Sequence, residues 1–219
     1  MTTIISIKTG TDEELKRIEL SDGSLFSFRT SYLPSAFIDE AYIPGGEISA
    51  EDAGSFRFAA ACLRAEKAAL RLVARAEQTA FGLFRKLERR GFETAHVRVV
   101  LGRLADLNIL NDRRYAQMWV QARLALRTET PRHLLAGLCG RGIDRDDAQS
   151  ALKAALTIEA ESALLRRFIE KKHPLPPHSD ESSGFSRQLA EAARSLKYLL
   201  KNEGFSSSVI QLYWEENEL

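Results

Sequence analysis

The sequence lacks the residue groupings on which most enzymes depend. Neither a glycine-rich phosphate loop nor a nucleophile elbow occurs in its 219 residues. The four histidines stand apart from one another and from any cysteine or carboxylate at ligand spacing; they are His96, His133, His173 and His178. The neighbouring acids Asp146 and Asp147 fall at a predicted helix start, where the helix dipole explains them without catalysis. We therefore expect a protein that is not an enzyme and that holds no metal or cofactor.

Cysteine and long apolar runs are scarce as well. Cys62 and Cys139 each lie among apolar helical residues, which indicates small buried side chains and argues against a disulfide or redox pair. No run approaches the roughly 20 apolar residues of a membrane span. The first residues also lack the basic segment and apolar stretch of a secretion signal. These absences predict a cytoplasmic protein with no membrane partner.

What the chain does contain is an internal repeat. Two leucines four residues apart are followed, after the same interval, by a glycine and then by a large apolar residue. The three copies are Leu83, Leu87, Gly91 and Phe92; Leu134, Leu138, Gly142 and Ile143; and Leu196, Leu200, Gly204 and Phe205. The leucine spacing is typical of an amphipathic helix, and the glycine can take the left-handed backbone that ends it. With a further helix before each copy, the pattern predicts three units of three helices.

Only the first segment of the chain alternates between apolar and polar residues. Three short alternating runs there predict strands, and the Asp22-Gly23 pair between the second and third runs predicts a hairpin turn. The predicted fold class is therefore mainly α, with three tandem three-helix repeats preceded by a small three-stranded antiparallel β module. The predicted domains are the β module at 1–48 and the repeats at 49–110, 111–156 and 157–219, with a proline-rich insertion at 171–183 in the third repeat.

Charge is spread unevenly along the chain. The net charge of +1 conceals +9 over residues 60–142, against −5 over residues 1–59 and −3 over residues 143–219. Guanidinium groups suit phosphate and carboxylate alike, so the basic centre indicates a surface for nucleic acid or for an acidic protein groove. The candidate contact residues are Arg85, Lys86, Arg89, Arg90, Arg98, Arg103, Arg113, Arg114, Arg123, Arg127 and Arg132.

Three motifs follow one another along the central part of the chain. They are the repeat motif from Leu83 to Phe92, the run Leu-Asn-Asp-Arg-Arg-Tyr-Ala at residues 110–116, and the motif from Leu134 to Ile143 with an acidic helix start after it. In this order they resemble the RecX family of bacterial regulators of the RecA recombinase. The resemblance covers roughly residues 60–217, and the strand-rich opening is similar to the N-terminal extension of longer members.

The resemblance implies an elongated, curved, solenoid-like array of the repeats, acting as a monomer in the helical groove of the RecA filament on DNA. Such a protein inhibits strand exchange, ATP turnover and co-protease activity by occupying the filament, with no covalent chemistry of its own. Several weak contacts along a repeating surface would add through effective concentration. The candidate basic residues would then contact RecA, or single- or double-stranded DNA.

The residues alone leave open one alternative from another class of function. A helical module could bind nucleic acid independently of sequence, with its basic centre on the phosphates. Salt separates the two hypotheses, because direct phosphate binding weakens steeply as the salt concentration rises. Binding through RecA instead requires that the recombinase be present.

Overall fold

The computed structural model describes residues 2–10, 12–34, 43–173 and 183–217. Within these ranges the chain is mainly helical and carries a small antiparallel sheet near its N-terminus, as the sequence predicts. The strands are β1 (Thr2–Thr9), β2 (Leu15–Leu20), β3 (Leu25–Arg29) and β4 (Glu47–Ile48). The helices are α1 (Ala50–Val73), α2 (Ala80–Glu88), α3 (Thr94–Asp106), α4 (Asp112–Leu126), α5 (Pro131–Cys139), α6 (Arg145–Ala155), α7 (Ile158–Lys172), α8 (Ser183–Asn202) and α9 (Ser207–Glu216).

The sheet has the strand order β3-β2-β1-β4. The predicted hairpin joins β2 to β3, with Gly23 at a φ of 83° and the Ser24 N–H donating to Asp22 Oδ1 at 2.8 Å. The fourth strand is a finding beyond the three that the sequence indicates. Because β4 contains only two residues, it is too short to show the apolar alternation by which strands are recognised.

The chain divides into two compact units, Met1–Asn111 and Asp112–Leu219, which we call unit 1 and unit 2. In unit 1 the sheet packs on α1, and the two share one core with α2 and α3. The largest fully buried side chains of this core include Ile4, Ile18, Leu20, Phe56, Leu83, Leu87 and Leu104. The segment that the sequence assigns to a β module is therefore continuous in its core with repeat 1.

Unit 2 holds two cores, one for each of its three-helix groups. The core of α4, α5 and α6 is centred on Ala116, Val120, Leu134, Leu138 and Ile143. The core of α7, α8 and α9 is centred on Leu164, Leu165, Leu200, Val209 and Ile210. Leu124 and Leu156 pack against both cores and so join the two groups.

The three glycine corners have the same backbone geometry. Gly91, Gly142 and Gly204 have φ values of 82°, 80° and 89°, as the repeat predicts. The residue after each glycine donates its N–H to the carbonyl of the second leucine of the motif, which closes the helix end. These bonds run from Phe92 to Leu87 at 3.3 Å, from Ile143 to Leu138 at 3.2 Å and from Phe205 to Leu200 at 3.1 Å.

The burial expected for the two cysteines is found for one of them. Cys62 is buried as expected, and burial raises the pKa of its thiol to about 11, but Cys139 is exposed. Cys139 directly follows the buried Leu138, and one helical residue is a rotation of about 100°, which turns its side chain away from the core. The proline-rich segment lies largely outside the described residues, and its two ends belong to α7 and α8.

Candidate partner-binding surface

An exposed stripe of α2 combines an aromatic ring with two arginines. Phe81, Arg85 and Arg89 follow one another at four-residue spacing, while Leu83 and Leu87 bury the opposite side of the helix. The Arg85 guanidinium carbon lies 5.9 Å from the centroid of the Phe81 ring, and Arg89 Nε donates to the Arg85 carbonyl at 3.3 Å. These contacts hold the two guanidinium groups along the stripe, beside a ring that is 46% exposed.

The remaining basic residues of this corner differ in their exposure. Arg90 beside the glycine and Arg98 on α3 are exposed. Lys86 is half-buried, and its Nζ donates to Gln78 Oε1 at 2.6 Å. The structure therefore offers Arg90 and Arg98 to a partner and commits the ammonium group of Lys86 to the loop before α2.

Arg103 belongs to an ion-pair network inside unit 1. Its Nη2 lies 2.5 Å from Glu14 Oε2, and its Nε lies 3.9 Å from Glu66 Oε1. Its guanidinium carbon also lies 5.9 Å from the centroid of the Tyr32 ring. These contacts connect α3 to the turn between β1 and β2, to the segment after β3 and to α1. Arg103 is a sequence candidate for partner contact, but its position gives it a structural role.

The centre of this network is the carboxylate of Glu66 on α1, which is 3% exposed. Arg29 donates from Nε to Glu66 Oε2 at 2.9 Å and also pairs with Asp12. The hydrogen bond from Arg29 lowers the pKa of Asp12, and burial raises the pKa of the nearby Tyr32 hydroxyl. The network explains why a charged group is tolerated in the core, since both buried oxygens have cationic neighbours.

In unit 2, α4 presents an exposed apolar stripe. Met118, Ala122 and Leu126 are exposed at four-residue spacing, and the exposed fractions of Met118 and Leu126 are 55% and 81%. Arg113 and Arg127, near the two ends of the helix, are exposed as well. The sequence reasoning found these arginines but missed the stripe, whose signal was the four-residue apolar spacing itself.

Arg123 is half-buried and contacts residues of its own unit. Its Nη1 lies 2.9 Å from Glu129 Oε1, and its guanidinium carbon lies 4.9 Å from the centroid of the Trp119 ring. Arg141 lies 4.7 Å from the same centroid, and a Cβ at Gly137 would stand 2.7 Å from the ring. Both guanidinium groups therefore lie within cation–π distance of the Trp119 ring, and these contacts stabilise the packing of α4 against α5.

The N-terminus of α5 packs on the glycine corner of the third repeat. Thr130 Oγ1 donates to Glu203 Oε2 at 2.6 Å, and the backbone N–H of Arg132 donates to the Glu203 carbonyl at 3.0 Å. Gly204 lies so close that an added Cβ would stand 3.2 Å from Arg132 N. The Arg132 side chain itself is exposed and lines an open cleft together with Lys153.

The candidate basic residues therefore fall into two groups, and both compact units contribute to each group. The exposed ones are Arg85, Arg89, Arg90, Arg98, Arg113, Arg127 and Arg132, and the half-buried ones are Lys86, Arg103, Arg114 and Arg123. Across the described ranges, no group of three His, Cys, Asp or Glu side chains is placed to hold a metal ion. In the same residues, no helix combines the length and the apolar composition needed to span a bilayer. The exposed arrangement can bind by charge and by apolar contact.

Comparison with known proteins identifies the family of this chain. The family model for RecX, second three-helix domain, matches residues 111–152, which contain α4, α5 and most of α6. The regulatory protein RecX of Treponema pallidum (strain Nichols) is 33% identical over 156 residues, which cover 70% of this chain and 95% of that relative. The chain belongs to the RecX family. The regulatory protein RecX of Thermobifida fusca (strain YX) is 32% identical over 129 residues, which cover 59% of this chain and 65% of the relative.

Two solved RecX structures share the fold. A crystal structure of regulatory protein RecX superimposes with a TM-score of 0.68 at 20% identity, and the match covers 96% of this chain and 98% of the other. The crystal structure of RecX from Lactobacillus salivarius gives a TM-score of 0.55 at 20% identity, with coverage of 71% and 96%. Membership of the RecX family gives the chain a regulatory role, and the exposed stripes of α2 and α4 are its candidate binding surfaces.

Proposed function

We propose that this RecX protein binds the RecA filament on DNA and inhibits its recombinase, ATPase and co-protease activities. The observation that carries the proposal is the exposure of large apolar side chains in both compact units, with arginines on the same elements. Phe81 lies beside Arg85 on α2, and Met118 and Leu126 form an exposed stripe on α4, where Arg113 and Arg127 are exposed near the two ends of the helix.

This composition fits a protein partner better than bare phosphate. Protein interfaces are enriched in aromatic residues, methionine and arginine relative to the rest of the surface. A surface that met phosphate groups alone would gain nothing from Leu126, which is 81% exposed. An acidic groove with apolar walls would use both kinds of group, and the family relationship supports RecA as the protein that supplies it.

Inhibition by occupancy follows from a surface that is divided between two units. Each stripe offers a small contact, and small contacts made by one chain on a repeating partner strengthen each other through effective concentration. A regulator bound across several protomers opposes the changes between protomers that accompany ATP turnover and filament extension. The regulator then needs no reacting group of its own.

The first experiment reverses the charge of the α2 stripe. Arg85→Glu with Arg89→Glu exchanges attraction for repulsion at an acidic groove, so the concentration for half-inhibition of DNA-dependent RecA ATPase should rise roughly tenfold or more. Arg64→Glu with Arg71→Glu is the matched control, because these two exposed arginines of α1 carry the same charge change in the same unit. Circular dichroism should be unchanged in both variants, since exposed arginines contribute little to folding.

The apolar half of the proposal has a separate test on α4. Leu126→Ser should weaken inhibition, whereas Ile158→Ser, at a residue of α7 that is 58% exposed, should not. Inhibition as strong as that of the wild type in both the α2 and the α4 variants would contradict the proposal.

A further inference from the structure

A basic cleft of about 320 Å³ lies at one end of the N-terminal sheet. Its cationic lining comes from β1, β2 and α1, namely Lys8, Lys16, Arg17 and Lys67. The hydroxyl-bearing residues Thr9 and Ser27, together with Gly10 and Leu15, complete the lining. The lining therefore contains positive charge and hydroxyl groups, with no carboxylate among its described residues.

The strand register forces two of these cations together. Lys8 is the direct partner of Arg17 in the antiparallel pairing of β1 and β2, so the two side chains share one face of the sheet. Like charges in directly opposed positions destabilise a sheet, because their Cβ atoms lie only about 5 Å apart. An anion bound between or beside the two groups would neutralise this repulsion.

The hydroxyl groups of the cleft are already oriented by the cations. Lys16 Nζ donates to Thr9 Oγ1 at 2.9 Å, and Arg17 Nε donates to Ser27 Oγ at 3.4 Å. Each hydroxyl that accepts one of these bonds keeps its own hydrogen for a further acceptor. Side chains alternate between the two faces of a strand, so Lys8, Arg17 and Ser27 share one face of the sheet, and Thr9 and Lys16 share the other. An oxyanion on the first face would meet the ammonium group of Lys8, the guanidinium group of Arg17 and the hydroxyl group of Ser27.

The cations of the cleft also differ from their neighbours in how they are neutralised. Arg29 and Arg103, in the same unit, are paired with Asp12, Glu14 and Glu66. Within the part of the chain that the structure describes, no ion pair includes a cation of the cleft. Residues 1–59 carry ten acids against five bases, and three of those five bases line the cleft, so the cations accumulate here against the composition of the segment.

We infer that this cleft binds phosphate groups of the DNA backbone, independently of base sequence. Lysine, arginine, serine and threonine are the side chains that hold phosphate oxygens in protein–DNA complexes. The cleft lacks the exposed large apolar groups of the α2 and α4 stripes, which separates it from the surfaces assigned above to a protein. The N-terminal sheet thus gives this chain a DNA contact that does not pass through RecA.

The test measures binding of a labelled oligothymidylate to the full chain by fluorescence anisotropy, without RecA and over a range of salt concentrations. Lys8→Gln with Arg17→Gln removes two phosphate contacts. The slope of log affinity against log salt should become shallower by about 1.4, since each contact with single-stranded DNA contributes about 0.7. Lys171→Gln with Lys172→Gln, at two exposed lysines of α7 in unit 2, is the matched control and should leave the slope unchanged.

A second variant keeps the sheet intact. Lys67→Gln changes an exposed residue of α1 and should reduce the slope by about 0.7. Wild-type protein that does not bind the oligonucleotide at low salt would overturn the inference, and so would cleft variants with unchanged affinity and slope. A parallel measurement replaces the oligonucleotide with labelled polyglutamate. If the cleft variants lose polyglutamate binding but keep oligonucleotide binding, the cleft binds an acidic protein segment and the inference is overturned. Because RecA is absent from every arm, failure here leaves the proposed inhibition of RecA standing.

Discussion

At the scale of single residues, Glu66 connects parts of the chain that are distant in sequence. Its carboxylate accepts from Arg29 in β3 and lies near Arg103 in α3, and the exposed Asp12 and the half-buried Glu14 complete the charge balance. Removing one member of such a network leaves the opposite charges partly buried and unpaired.

We expect Glu66→Ala to lower the free energy of unfolding of unit 1 by about 3 kcal/mol, the lower end for a broken buried pair, because Arg29 and Arg103 keep Asp12 and Glu14. Urea titration followed by circular dichroism measures this change. Glu19→Ala, at an exposed acid of β2, is the control and should change stability by less than about 0.5 kcal/mol. A loss at Glu66 as small as that at Glu19 would show that the network does not stabilise the fold.

The same network shows what sequence reasoning could not reach for the candidate surface. Arg103 stands 89 positions from Glu14, and no local pattern pairs them. The exposed Arg85 and Arg89 could be predicted, because their positions opposite Leu83 and Leu87 follow from helical periodicity alone. The exposure of a side chain could therefore be predicted where it depends only on the periodicity of its own helix. It could not be predicted where it depends on a contact with a residue distant in sequence.

At the scale of elements, the glycine corners end the second helix of each group. Gly91 and Gly204 share a positive φ but differ in their surroundings. A Cβ on Gly91 would meet nothing within 4 Å, whereas one on Gly204 would stand 3.2 Å from the backbone nitrogen of Arg132. The two positions therefore separate backbone strain from steric conflict.

Gly91→Ala should cost about 1 kcal/mol of stability, from the left-handed backbone alone. Gly204→Ala should cost measurably more, because α5 must also move away from the corner. Urea unfolding of the two variants compares these losses, and Gly102→Ala, at an exposed helical glycine with open space around it, should be neutral or stabilising. Equal losses at Gly91 and Gly204 would mean that the α5 contact carries no energy.

The helices and strands were the features of this protein that the sequence predicted best. The strands, the hairpin and the repeated helices follow from alternation, turn residues and leucine spacing. Gly54 does not interrupt α1, which continues from Ala50 to Val73. Burial of side chains such as Phe56 and Cys62 in a shared core stabilises the helix by more than the roughly 1 kcal/mol that a single glycine costs.

At the scale of the whole molecule, the N-terminal sheet is part of a larger core. Ile4, Ile18, Leu20 and Phe28 from the sheet are buried together with Phe56 of α1. The boundary at residue 48 therefore marks a change of secondary structure inside one core. Sequence alone could not show this, because apolar residues on a strand do not reveal which helix covers them.

A chain that begins at residue 49 should consequently lose the fold of repeat 1. Its α1 would expose the apolar face that the sheet covers, so the truncated protein should bind a hydrophobic dye and self-associate in size-exclusion chromatography. Residues 112–219 alone should bind little dye, because unit 2 contains its own two cores. A chain of residues 49–219 that stays monomeric and melts cooperatively would show that the sheet is dispensable.

The contact between α5 and the corner at Gly204 also determines whether the repeats are interchangeable parts. An arginine precedes the glycine in the first two corners, at Arg90 and Arg141, whereas the third has Glu203 at that place. Glu203 accepts the hydroxyl hydrogen of Thr130, and an arginine there would set a second donor against it. In a chimaera that carries a second copy of repeat 2 in place of repeat 3, the glycine corner would keep its backbone geometry. The side-chain hydrogen bond between α5 and that corner would be lost. The residue before the glycine therefore determines which repeat can occupy the third position.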